Sequence, residues 1–159
     1  MNSAYHFGLE TPIGLITLVE EGDAVTQLHF GAFFSGIAEQ RETPLLQEAA
    51  RQLTAYFQGQ LRNFSLPLQP KGTTFQRSVW EQLQRIPYGQ TCSYGDIARA
   101  CGNPKASRAV GMANNRNPIS IIIPCHRVIG ADGKLVGYGG GLDIKIRLLE
   151  LEKTTLERG

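Results

Sequence analysis

Two residues able to do covalent chemistry stand side by side in Pro124-Cys125-His126-Arg127-Val128, directly after the apolar run Ile121-Ile122-Ile123. Cysteine attacks carbon as its thiolate, and with a free pKa of about 8.5 that form is a minority at neutral pH. Histidine titrates near neutrality and is the common proton acceptor for such a nucleophile. The pair is therefore a candidate for nucleophilic chemistry by sulfur. Adjacency alone does not set the imidazole against the thiol, and a water between them is compatible with the spacing. Taken by itself, the triplet has a competing reading as a buried, inert cysteine beside a structural histidine. The apolar run reads as a buried strand that stops at Pro124.

The residues before this centre read as a helix–turn–helix. Thr73-Thr74-Phe75-Gln76 has capping-box spacing ahead of Val79, Trp80 and Leu83, and Pro87 marks the end of that helix. Ser93-Tyr94-Gly95-Asp96 opens a second helix, Tyr94 to Cys101, closed by Gly102. Asn103-Pro104 then predicts a third, from Pro104 to about Asn114, after a link of only two or three residues. Ala106, Ser107, Ala109, Gly111 and Ala113 leave this third helix slim around Arg108. A slim helix with one long cationic side chain fits the minor groove of DNA, about 6 Å wide. Close helix packing inside the domain is the other use of small residues.

Charge supports the first use. The chain of 159 residues has a net charge of only +2, but it is unevenly spread. Residues 1–70 hold three basic against seven acidic side chains, and residues 71–159 hold thirteen against seven. Between Arg99 and Lys134 there are six basic residues and one acid, Asp132. An anionic partner for the second half, nucleic acid first, is the expectation. The same stretch of chain marks a boundary: Pro67, Pro70 and Gly72 interrupt regular structure, giving expected domains 1–70 and 71–159. In the first, Ile13–Val19 and Val25–Phe30 predict a hairpin, Leu45–Phe57 a helix stopped near Gly59, and Asn63–Leu68 a short strand.

Several classes drop out. The longest apolar run is far short of the ~20 residues of a spanning helix. The first residues lack the blocks of a secretory signal, so a cytoplasmic protein is expected. Cys92, Cys101 and Cys125 are odd in number and lack CxxC spacing, which supports neither a disulfide framework nor a zinc site. Gly137-Tyr138-Gly139-Gly140-Gly141-Leu142 fails the dinucleotide pattern at its sixth position. No metal and no cofactor are expected.

From about Thr74 to Glu152 the sequence closely resembles the O6-alkylguanine–DNA alkyltransferases, also called methylated-DNA–protein-cysteine methyltransferases. The likeness lies in Phe75-Gln76-Arg77, Ile86-Pro87-Tyr88-Gly89, Ser93-Tyr94, Arg108-Ala109-Val110-Gly111, Asn117-Pro118-Ile119, Pro124 to Val128, and Gly137 to Leu142. The first 70 residues resemble the family loosely. The resemblance implies a small α/β amino-terminal domain, ribonuclease-H-like with an antiparallel sheet, and a mostly helical, winged-helix-like second domain carrying the helix–turn–helix. It implies direct-reversal DNA repair: a stoichiometric, irreversible transfer of an alkyl group from guanine O6, or thymine O4, of a flipped-out nucleotide to Cys125. His126 would take the thiol proton through a water, Glu152 would orient the imidazole, Asn117 would brace the active-site turn, and Tyr94 would crowd a phosphate and donate to the expelled guanine. Arg108 would fill the vacated stack, with Ala106, Ser107, Ala109, Gly111 and Arg116 alongside it on DNA. Pro124 and the loop Val136, Gly137, Tyr138, Gly139 and Gly140 would enclose the alkylguanine. The implied partner is double-stranded DNA carrying O6-alkylguanine, met by a monomer, with no membrane involved and side-by-side assembly on DNA left open. Gly139 stands where some relatives have serine, and Arg147 where an aromatic residue is common. The first half lacks both the structural-zinc set and the metal-cysteine regulatory domain of some relatives, so a repair protein without a regulatory half is expected. A non-catalytic lesion-binding relative and a thiol hydrolase are the alternatives.

Overall fold

The computed structural model describes residues 3–32, 38–135, 138 and 140–158. The chain forms two compact units, Met1–Lys71 and Gly72–Gly159. Among the described residues, no helix is long and apolar enough to cross a membrane.

The first unit is a sheet with a helix across it. Strands β1 (Ala4–Thr11), β2 (Gly14–Glu21) and β3 (Ala24–Phe30) form an antiparallel meander, and β4 (Glu39–Gln40) adds to β1 in parallel, giving the order β3-β2-β1-β4. Gly22 and Asp23, both at positive φ (59° and 64°), make the two-residue turn between β2 and β3 that matches strand twist. Helix α1 (Pro44–Phe57) is capped by the Thr43 side chain, which accepts from the Leu46 N–H, and it buries Leu46, Ala49, Leu53 and Tyr56. Two details differ from the sequence expectation. Strand β1 carries no continuous apolar alternation, being half-buried along most of its length, so pattern reading passed over it. Asn63–Leu68 is not a strand. Only Leu68 bridges to Val25, because Val25 N–H donates to the Pro67 carbonyl and Gln69 N–H to the Val25 carbonyl, and Pro67 itself has no N–H to extend the ladder.

The second unit is built from helices α2 (Thr74–Leu83), α3 (Tyr94–Ala100), α4 (Ser107–Asn115) and α5 (Leu142–Glu157), with a two-residue parallel pair, β5 (Cys92–Ser93) and β6 (Val128–Ile129). Both predicted capping boxes are present, Thr73 with Gln76 and Ser93 with Asp96. Helices α2, α3 and α4 pack on one another over Val79, Trp80, Leu83, Ile97 and Val110, and the Trp80 indole N–H donates to the Ala113 carbonyl at 2.8 Å. The third predicted helix begins later than Pro104. Ala106 N–H donates to Asn103 O, closing a separate turn over 103–106, and α4 starts at Ser107 with Ala106 as an N-cap that supplies no side-chain bond. Proline suits the second position of such a turn as well as the first position of a helix, which is why the sequence alone favoured the wrong one.

Candidate active site

Cys125 opens a single 3-10 turn, Cys125–Arg127, that runs directly into β6. The chain before it is a tight turn, where the sequence predicted a strand. Ile123 N–H donates to Ile119 O, Ile122 N–H to Ser120 O, and Cys125 N–H to Ile123 O, all at 2.8 to 2.9 Å. Ile121 sits at φ 74°, a region that a β-branched residue enters only at a cost of about 1–3 kcal/mol. Asn117 ties the turn together, its Nδ2 donating to Ile123 O at 2.8 Å and its Oδ1 accepting from Ile119 N–H at 3.0 Å. The three isoleucines are apolar because they are buried, and burial fits this looped path as well as a strand.

The turn places the sulfur inside the protein. Cys125 is 3% exposed. Its Sγ lies 3.8 Å from Ser120 Oγ, and the Asn114 amide, also buried, donates to the Cys125 carbonyl at 3.4 Å. Burial pushes the thiol pKa up, against the hydrogen bonds of Asn117 and Ser120 and the charge of Lys145, which draw it down. The resting form is therefore the thiol, and attack requires a base.

A candidate base is held by α5. Glu152 is buried and accepts four hydrogen bonds. Oε1 takes Gly89 N–H at 3.0 Å and Arg127 Nε at 2.9 Å, while Oε2 takes His126 Nε2 at 2.7 Å and Arg127 Nη2 at 3.0 Å. Burial opposes ionisation of Glu152, but the bonds and charges of His126 and Arg127 outweigh it and hold the carboxyl at about 2. A carboxylate can only accept, so His126 carries its hydrogen on Nε2. The lone pair of Nδ1 then has no protein partner among the described residues, although the atom is buried. Burial lowers the imidazole pKa against the upward pull of Glu152, which keeps the ring neutral and able to receive a proton. Arg127 Nη1 also donates to Ile86 O at 2.8 Å, and its guanidinium lies 5.5 Å from the centre of the Tyr88 ring. The Ile86–Gly89 segment is thus fastened to the same carboxylate.

Gly89 has to be glycine there. It sits at φ 79°, and a Cβ would come within 2.0 Å of Leu156 Cδ1. Gly89→Ala should destabilise the second unit by about 2 kcal/mol, read as a lower thermal midpoint; an unchanged midpoint would show that the turn is not held in this conformation.

Tyr94 and Tyr138 lie within electrostatic reach of Cys125. Tyr94, half-buried at the start of α3, lies over Gly111 of α4, where a Cβ would meet its ring at 3.8 Å. Burial and then the charge of Cys125 raise its pKa, so it is a phenol donor. The Tyr138 hydroxyl is buried, and burial first and the charge of Cys125 second raise its pKa well above the usual value. Pro124 is buried behind the thiol, and Gly140 is half-buried. Val136, Gly137 and Gly139 lie outside the described residues.

The structure thus brings Cys125, His126, Glu152, Asn117, Tyr94 and Tyr138 into one cluster. Arg108, Ala109 and Arg116 are exposed on α4 and its C-cap, with Ala106, Ser107 and Gly111 half-buried and Ala113 inside. Met112, one turn beyond Arg108, is 58% exposed, so the slimness of this helix belongs to one side of it. Sequence reasoning passed over Arg127, Lys145, Ser120, Asn114 and the Gly89 N–H. Two charged residues, Lys145 and Glu152, on the same helical stripe as Leu148 were the available signal. Among the described residues, no group of three or more His, Cys, Asp and Glu side chains is placed to hold a metal ion.

Two family models match the chain. One, described as the 6-O-methylguanine DNA methyltransferase ribonuclease-like domain, matches residues 4–70; the other, the DNA binding domain of the same methyltransferase, matches residues 74–154. The methylated-DNA–protein-cysteine methyltransferase of Methanosarcina acetivorans is 53% identical over 154 residues, covering 93% of this chain and 97% of that protein. The constitutive enzyme of that name from Bacillus subtilis is 48% identical over 157 residues, covering 94% and 95%. A crystal structure of Mycobacterium tuberculosis OGT in complex with DNA aligns with a TM-score of 0.89 at 48% identity, over 95% of this chain and 94% of that one. Likeness at this level across both compact units leaves a single assignment, and the chain belongs to the 6-O-methylguanine DNA methyltransferase family.

Proposed function

We propose that this protein repairs DNA by direct reversal, moving an alkyl group from guanine O6 onto the sulfur of Cys125 in one irreversible step. One observation carries the reading: a buried thiol is followed by a histidine whose Nε2–H is fixed on Glu152, leaving a buried Nδ1 lone pair to act as base. The Cys125 proton passes to Nδ1, through a water, as the sulfur bonds to the alkyl carbon. The carbon–O6 bond breaks, its electron pair leaves with the guanine, and the guanine takes a proton from Tyr94, which is reprotonated at the expense of the imidazolium, so that the proton lost by sulfur is balanced by the one gained by guanine. Glu152 stabilises the imidazolium formed meanwhile.

Reaching a buried sulfur requires the nucleotide to leave the stack, which costs a few kcal/mol. Helix α4 is read as the element that enters the groove, with Arg108 filling the space left behind and Arg116 answering phosphate charge. Asn117 acts by holding the turn, and Tyr138 by walling the alkyl group. Thymine O4 offers the same alkyl–oxygen bond and is read as a second substrate. The cysteine thiolate is a poor leaving group from the thioether, so water does not displace it and each molecule acts once; the acting species is read as a monomer.

The test is incubation with duplex DNA carrying radiolabelled O6-methylguanine, followed by peptide mass spectrometry. One label per protein molecule, located on Cys125, is expected. Label released to solution would indicate hydrolysis, and protein bound to the lesion without label would indicate recognition alone; either result overturns the reading.

A further inference from the structure

Helix α4 exposes one stripe: Arg108, Ala109, Met112 and Asn115, continued by Arg116 at its C-cap, while Val110, Ala113 and Asn114 are buried. Positions three and four apart share a helix face, so these side chains point the same way. Met112 is 58% exposed, more than any other large apolar side chain among the described residues. It stands between two cations, Arg108 one turn before it and Arg116 one turn after it. Four residues of helix advance about 6 Å, less than two base-pair steps of about 3.4 Å. A side chain at that distance from the residue that fills the vacated stack meets a base pair within two steps of the lesion.

Cations suit the phosphate rims of the minor groove, and an apolar group suits its sugars and base edges. At an A·T pair the floor carries only the acceptors adenine N3 and thymine O2, whereas a G·C pair adds the guanine 2-amino donor. A thioether is at most a weak acceptor. Met112 set against that amino group strips it of water without replacing the bond, and a buried donor left unmet is costly. We propose that Met112 is a specificity-determining contact with the minor-groove floor, making repair slower where a pair beside the lesion carries a 2-amino group. The assignment rests on the reading of α4 as the helix that enters the groove.

Single-turnover transfer from O6-methylguanine duplexes tests it, with protein below saturation so that docking is read together with chemistry. The pairs one and two steps to each side of the lesion are varied singly. G·C is compared with I·C, which removes the amino group, and A·T with 2,6-diaminopurine·T, which adds it. At one or more positions the amino group should slow the wild-type protein about fivefold in both comparisons. These bases also change pairing strength and the ease of flipping, but that change is common to every variant. Met112→Ala should shrink the gap to under about twofold, and so should Met112→Gln, whose amide oxygen can accept from the amino group. Met112→Leu, apolar and similar in size, should keep it. All three should hold the wild-type thermal midpoint, because the side chain is exposed. A gap equal in wild type and Met112→Ala, or no gap at any position in wild type, overturns the proposal and leaves repair standing. No transfer by the wild type from any duplex overturns repair, and the proposal with it.

Discussion

Glu152→Gln should lose about a hundredfold in transfer rate and, separately, about 3–5 kcal/mol of stability. The four groups on this carboxylate, from Gly89, His126 and Arg127, are all donors. A glutamine turns one acceptor oxygen into a further donor, so two of the four bonds face N–H against N–H, and Arg127 is left buried without its counter-charge. The rate falls because His126 is no longer held with Nδ1 bare. Single-turnover kinetics on a methylated duplex and urea unfolding read the two effects, with Glu150→Gln, an exposed position on the same helix, as a control expected to change stability by under about 0.5 kcal/mol. The same carboxyl makes stability depend on acid. Its pKa falls from 4.5 to about 2 on folding, so its contribution is complete above 4.5 and drains away as pH drops toward 2. A rate and an unfolding midpoint both at wild-type values would remove Glu152 from the relay.

Arg108→Ala should separate reaction with DNA from reaction with a free base. Arg108 is exposed and makes no ion pair among the described residues, so its loss leaves the fold intact. On a methylated duplex, losing the proposed stack-filling group should slow transfer about a hundredfold, in line with a flipping cost of a few kcal/mol. Free O6-benzylguanine has no stack to leave, and its rate should stay within about twofold of wild type. Equal losses on the two substrates would end the reading of Arg108 as the stack-filling residue.

Local signals in the sequence carried well where the physics is local. Thr73 with Gln76 and Ser93 with Asp96 form the capping boxes that their spacing announced, since a box is satisfied within four residues. Cys125 and His126 stood out as a candidate pair because they are adjacent in the chain. What failed depends on tight turns that composition does not reveal or on partners distant in the chain. Ile121–Ile123 carry the composition of a strand, yet Asn117 and the short carbonyl bonds bend them into a turn. Pro104 permitted a turn or a helix start, and the chain forms the turn, closed by Ala106 N–H on Asn103 O, with α4 beginning at Ser107. Lys145 lies in a stretch, Asp143 to Lys153, dense in charge, where a solvated side chain is the default. Only the path of α5 past Val128 puts it inside. The reach of Glu152 to Gly89, 63 positions away, was likewise beyond any pattern in the sequence.

The depth of Cys125 bears on how long a molecule that acts once can wait. A stock held against rare damage has to keep its sulfur unspent in the presence of peroxide, and oxidation to sulfenic acid follows thiolate character and access. A thiol 3% exposed, with its ionisation disfavoured by burial until a base and substrate are in place, is shielded on both counts. Cys92 and Cys101 are only partly buried, so by access an oxidant should reach them before Cys125.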